Sequence, residues 1–460
     1  MAILAGFMVP HPPLIVPDVG QGQEEAIKNT IESYKTVAAE IGRLQPETIV
    51  LLSPHQTMYA DYFHISPGRS ARGDFGRFGA PHVRMEVSYD TAFAERLAAE
   101  AGVRGIQAGT LGERERKLDH GTMVPLYFVN QYLTEYRLVR IGLSGFPLTA
   151  HYRLGQCIQE TAQALDRRAV IIASGDLSHR LKEDGPYGYQ EEGPRYDARI
   201  MDVMARAAFG ELLEFSEDFC EKAAECGHRS FTILAGAFHR TAVEARKLSY
   251  EGPFGVGYGI CGYKALGPDG TRDFLEQHEE KENARLRALR EKEDPYVRLA
   301  RQTIQEYLRT GRQIAPPQGL PPELYGIRAG AFVSLKEDGR LRGCIGTIQA
   351  TKDSLAEEII ANAVSACSRD PRFPPVEAWE ADRLTISVDV LGETEPVTSP
   401  EDLDAARYGV IVTKGAKRGL LLPNLEGVDT VEQQIAIAKQ KAGIREGEAV
   451  ALERFEVVRH

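Results

Sequence analysis

A chain of 460 residues is longer than one core supports, so two domains are expected. Acidic residues (66) outnumber basic ones (55), and the formal net charge of −11 excludes a general binder of nucleic-acid backbones. The six cysteines form no C-x-x-C pair and read as reduced thiols of a cytoplasmic chain, and no apolar run approaches the roughly 18 residues that span a bilayer.

In chain order, the apolar run Ile3–Val9 reads as a first buried strand, because it lacks the basic start of a signal peptide. A helical pattern over Gln23–Arg43 leads to a second strand, Thr48–Ser53. The stretch Ser66–Pro81, rich in Gly and Arg, shows little periodicity and reads as a long loop. A helix over Thr91–Ala101 and strands at Leu138–Leu143 and Ala169–Ala173 follow. This alternation predicts an α/β first domain over residues 1–268, with a mainly parallel sheet covered by helices. The turn-like LGPDG near Gly267 closes it. Residues 269–294, dense in Glu, Lys and Arg, read as a charged helical connector. Residues 295–460 read as an α+β second domain, with a helix over Tyr296–Arg309 and a Pro-rich loop over Ala315–Pro322.

Three histidines follow strands closely. His11 comes after the first, His55 (in SPH) after the second, and His179 (in SGDLSH) after Ala169–Ala173. Ligands of open α/β sheets bind at the carboxyl ends of strands, so these side chains are candidates for one pocket. His120, in DHGTMVPL, is a fourth candidate. The other histidines show no such placement and read as structural.

The segments MVPHPPL, LLSPH, LDHGTMVPLYF, SGDLSH and AAECGHRSF resemble the class III extradiol ring-cleavage dioxygenases and the related Memo family, over roughly residues 1–265. The resemblance implies two histidines and one glutamate holding Fe(II), with open positions for substrate and dioxygen. It implies His11 and His55 as metal ligands, Glu225 as the acidic ligand, His179 as acid/base and His120 as a second pocket histidine. Memo-type relatives carry a cysteine at the third position, which makes the adjacent Cys226 the alternative. Neighbours on a helix point about 100° apart, so only one of the two is expected on the ion. A thiolate would suit zinc or copper, whereas a carboxylate suits Fe(II). Asp176 and Ser178 admit two readings, as orienting partners of His179 or as a strand-end turn.

In the second domain LRGCIGT (Leu341–Thr347), SRDPRFPP (Ser368–Pro375), GLLLP (Gly419–Pro423) and TVEQQIAIAKQKAGI resemble the AMMECR domain family, over roughly Pro295–His460. That resemblance implies a fold more than a reaction. Cys344 admits two readings: a nucleophile or redox thiol with Arg342 or Arg369 beside it, or a small buried residue in a strand that needs glycines for close approach. The scarcity of histidine nearby favours the structural one. The pairing of the two domains resembles the chains of AmmeMemoRadiSam systems and implies a radical SAM partner protein. This chain shows no C-x3-C-x2-C motif itself. The expected function is a non-haem metal-dependent oxidoreductase of the extradiol type acting on a small-molecule substrate, with no nucleic-acid or membrane partner. The alternative is a metal-binding scaffold of a modification system, without dioxygenase activity.

Overall fold

Continuous apolar strands separated by amphipathic helices bury both faces of a sheet. The computed structural model describes residues 2–337, 339–425 and 427–460. The chain divides into two compact units, one running to Glu280 and the other from Lys281 to His460. The division falls within the helix Phe274–Glu291, inside the stretch read as a connector.

The first unit contains β1 (Ile3–Val9), β2 (Thr48–Ser53), β3 (Ser70–Phe75), β4 (Ala80–Ser88), β5 (Arg137–Gly142), β6 (Ala169–Ser174), β7 (Thr241–Glu251) and β8 (Tyr258–Pro268). Its main sheet has the order β5-β2-β6-β1-β8-β7. The first four of these strands run parallel. The last two are antiparallel additions at one edge. Alternate side chains serve two cores. Met8, Val50, Leu52 and Ile171 face the helices α2 (Thr91–Val103), α4 (Leu148–Ala164), α5 (Glu192–Arg206) and α7 (His228–Ala237). Phe7, Ile49, Leu51 and Ile172 face α1 (Lys28–Leu44) and α3 (His120–Val129). Each fully buried Leu, Ile or Phe contributes roughly 1.5–3 kcal/mol of transfer free energy. A short helix α6 (Glu217–Ala223) precedes α7, and α8 (Phe274–Glu291) follows β8.

The stretch expected to be a loop is in part a hairpin: β3 and β4 pair antiparallel around a turn at Gly76–Phe78. Its inward positions are Ala71, Gly73 and Phe75, and a Cβ on Gly73 would sit 2.5 Å from the Met123 sulfur. Small inward residues beside outward arginines conceal the two-residue period.

The second unit contains α9 (Pro295–Thr310), β9 (Ala331–Glu337), β10 (Arg340–Gly346), α10 (Leu355–Ser368), β11 (Thr385–Leu391), β12 (Glu395–Val397), β13 (Gly409–Lys414), β14 (Lys417–Leu421), α11 (Val431–Lys441), β15 (Ala451–Phe455) and β16 (Val457–Arg459). Two separate antiparallel sheets result, β10-β9-β11-β16 and β12-β15-β13-β14. Helices α9 and α10 cover the first and α11 covers the second. Asp294 caps α9 by accepting from Tyr296 N–H (2.9 Å) and Val297 N–H (3.0 Å), with Pro295 pre-set at the first helical position. Among the described residues, no helix is long and apolar enough to cross a membrane.

Candidate metal centre

The centre starts where β1 ends. His11 is buried, its backbone N–H donates to Asp176 Oδ1 (2.7 Å), and its Nδ1 lies 2.9 Å from Ser174 Oγ. With Nδ1 engaged, Nε2 faces His55 Nε2 at 2.9 Å. His55 follows β2, and its N–H donates to Ser53 Oγ (3.2 Å). Ser53 Oγ in turn donates to Asp119 Oδ1 (2.5 Å). Asp119 caps α3 through the Thr122 N–H (3.0 Å) and hydroxyl (2.9 Å). The first residue of that helix, His120, places its ring 3.9 Å from His55 and 5.4 Å from His11. Gly121 leaves the room for this, since a Cβ there would fall 2.5 Å from Ser53 Oγ.

The third donor is set by two glycines. Gly175 follows β6, and a Cβ on it would lie 2.1 Å from the Gly227 Cα. This backbone-to-backbone packing seats Cys226 against Asp176: Cys226 N–H donates to the Asp176 carbonyl (3.3 Å) and Asp176 N–H donates to Cys226 Sγ (3.2 Å). Sγ is then 3.7 Å from His11 Nε2. One ligand atom from each of His11, His55 and Cys226 lies within 4.8 Å of the others. Glu225, carried over as the acidic ligand, is not among them. Its carboxylate accepts from the His228 N–H (2.6 Å) at the start of α7 and lies beside Tyr196 and Arg229.

His179 joins the same pocket from the loop after β6. Its N–H donates to the Ala223 carbonyl (3.2 Å), and Ser178 Oγ donates to the same carbonyl (2.8 Å). Ser178 N–H donates to Asp197 Oδ1 (2.8 Å), and Asp197 Oδ2 accepts from the Tyr250 hydroxyl (2.8 Å). Asp176 therefore orients His11, while Ser178 fastens the His179 loop. Three contributors escape a reading of motifs: Asp197, Tyr187 (ring 5.0 Å from His179, stacked) and Phe78 (ring 5.4 Å from His120). For Asp197 a signal existed, an acid on the apolar face of α5 beside Tyr196, Ile200 and Met201.

Burial, reinforced by the neighbouring imidazoles, holds His11 well below the usual histidine range. Burial also lowers His55 and brings His120 and His179 down to about 4. It pushes the Cys226 thiol well above its usual range, and Asp176 and Glu225 up to about 7. Neutral imidazoles are the form that ligates, and a buried thiol becomes a thiolate most readily against a cation. Two imidazole Nε2 atoms and one Sγ therefore fit a tetrahedral transition-metal ion, with a fourth position left for another ligand.

In the second unit, Cys344 is half-buried rather than in the core. Arg342 is occupied by Glu380 (2.7 and 3.0 Å) and by the Pro374 and Pro375 carbonyls (2.8 and 3.2 Å). Arg369 lies near Cys367 instead.

A family model described as the catalytic LigB subunit of aromatic ring-opening dioxygenase matches residues 5–261, and the AMMECR1 model matches residues 297–460. A Clostridium acetobutylicum protein is 41% identical over 470 residues, covering 100% of this chain and 99% of its own length. A Thermotoga maritima protein is 55% identical over 149 residues, covering 32% of this chain and 86% of its own. The crystal structure of an uncharacterised Pyrococcus horikoshii protein is 37% identical, covers 36% of this chain and 88% of its own, and has a TM-score of 0.34.

Proposed function

This chain belongs to the family of the catalytic LigB subunit of aromatic ring-opening dioxygenases, with an AMMECR1 region behind it, and from that premise we propose a metal-dependent oxidoreductase acting on a small molecule, its ion held by His11, His55 and Cys226. The observation that carries this is the convergence of those three ligand atoms within 4.8 Å, while Glu225 is committed to the start of α7. An ion held by these residues would supply Lewis-acid and redox chemistry toward a hydroxylated substrate and dioxygen. Ring opening by dioxygen needs a redox-active ion, which Fe(II) or copper supplies and zinc does not; the family resemblance favours Fe(II), and the thiolate suits zinc or copper.

The chain's own residues do the rest. Ser174 and Asp176 fix the orientation of His11. Burial keeps His179 and His120 neutral, so a ring nitrogen of either is free to accept a hydrogen bond from a substrate hydroxyl, and His179 is the acid/base the family resemblance implies. Tyr187 stacks on the His179 ring and Phe78 lies edge-on to the His120 ring.

Metal content after anaerobic loading with Fe(II), zinc or copper tests the ligand set. Wild type and Glu225→Gln are expected to keep about one ion per chain and Cys226→Ser to lose most of it; loss in Glu225→Gln with retention in Cys226→Ser would overturn it. Dioxygen uptake with a panel of catechols tests the reaction, and His179→Ala should keep the ion while abolishing uptake. The thiol in the third position favours one other function, a metal-binding accessory module without dioxygenase activity that serves a radical SAM partner. A loaded wild type that consumes no dioxygen with any catechol supports that module instead.

A further inference from the structure

We propose that Cys344, on the open face of the β10-β9-β11 sheet, is a nucleophilic thiol that takes a small, negatively charged electrophile. The sheet assigns the two faces of β10. A Cβ on Gly343 would meet the Ala366 carbonyl at 2.3 Å, so the glycine makes the close approach to α10, and Ile345 packs into the same core. Side chains alternate along a strand, so Cys344 points to the opposite face. Core packing there does not account for a cysteine.

The thiol is not alone on that face. Ser334, its cross-strand partner on β9, donates its hydroxyl to Sγ at 3.2 Å. Ser387 on β11 is the next residue across in register and adds a second hydroxyl. Asp370 and Arg372 fasten the strand edge: Asp370 Oδ2 accepts from Cys344 N–H (2.9 Å), and Arg372 Nη2 donates to the Cys344 carbonyl (3.0 Å) and to Asp370 Oδ2 (2.7 Å). The guanidinium is thereby held beside the thiol, and its charge is raised in stability first by Asp370 and further by Cys344. A second cation, Lys441, arrives at the end of α11. Lys441 is exposed there, and Cys344 and Arg372 are the groups whose charges reach it. Among the described residues Lys441 has no hydrogen-bond or ion-pair partner.

A thiol with a hydroxyl on its sulfur, a guanidinium at its own carbonyl and a lysine whose charge reaches it has the make-up of a nucleophile beside a place for an anion. Arg372 is tied to Asp370 and the strand through Nε and Nη2, whereas Lys441 is free to meet a carboxylate or phosphate on an incoming molecule. In the reaction the thiol proton passes to solvent, a bond forms between Sγ and an electrophilic carbon, and the leaving group departs with the electron pair of the bond it breaks.

Iodoacetate and iodoacetamide present the same carbon and the same leaving iodide, and differ in charge. The full chain, kept native, is alkylated with each, and the rates at Cys344 and at the half-buried Cys220 are read by peptide mass spectrometry, with glutathione as the free-thiol control. Cys344 is expected to react about tenfold faster than Cys220 and to show an iodoacetate-to-iodoacetamide rate ratio about fivefold or more above that of glutathione. Lys441→Gln, which removes a side chain with no other partner, should bring that ratio down to the glutathione value. Absence of labelling at Cys344 before unfolding, a ratio equal to that of glutathione in wild type, or a ratio unchanged in Lys441→Gln would each overturn the proposal.

Discussion

Single residues decide how the pocket is held, and two of them make testable claims. Asp197 is 1% exposed, and burial raises its carboxyl from the usual 3.8 to about 7. A carboxyl raised on folding contributes most stability below pH 4, and that contribution is lost as pH rises through 7. At about 1.36 kcal/mol per pKa unit, the loss is at most roughly 4 kcal/mol. Asp197→Asn, which keeps the acceptor for Ser178 and does not ionise, should therefore gain in Tm relative to wild type between pH 5 and pH 8. A pH-independent difference in Tm would contradict this. Gly175→Ala should cost about 1–3 kcal/mol, because the new methyl has only the Gly227 backbone to displace. It should also lower metal content, because the same contact seats Cys226; a variant that melts lower and loads fully would separate the two effects. His11, His55 and His179 were legible in the sequence because each follows an apolar strand, whereas His120 opens a helix and was read from its family-like segment. The choice between Glu225 and Cys226 was not legible, since it depends on a glycine pair formed by two distant loops.

At the scale of elements, apolar runs were enough to mark β1 and β2 at their observed bounds and β6 within one residue. The strand β3 was missed, because two of its three inward positions carry Ala71 and Gly73, which leave little hydrophobic period to see. The start of α3 joins fold to site: one carboxylate, Asp119, caps the helix and accepts from Ser53 beside His55. Asp119→Ala should destabilise the first unit by about 1 kcal/mol or more, measured as a lower Tm. Asp119→Asn should recover part of this because it still caps, and equal melting of Asp119→Ala and wild type would refute the role.

For the whole molecule, the sequence placed a boundary at the charged stretch 269–294, and the compact units meet between Glu280 and Lys281. Residues 281–460 contain their own cores, so that fragment should unfold cooperatively alone, followed by circular dichroism. Residues 1–280 should load as much metal as the full chain, because His11, His55 and Cys226 all lie within them. A first fragment that fails to load would show that the centre needs the second unit. The sheet order also has a consequence for how the chain is made. β1 lies between β6 and β8, whose residues 169–174 and 258–268 leave the ribosome later than it does. One edge of β1 therefore stays unpaired until residue 174 is made and the other until residue 268, a state that invites pairing with other nascent chains. Truncation anywhere before β8 leaves that hazard in place, so premature termination products of this protein should aggregate instead of accumulating as soluble partial domains.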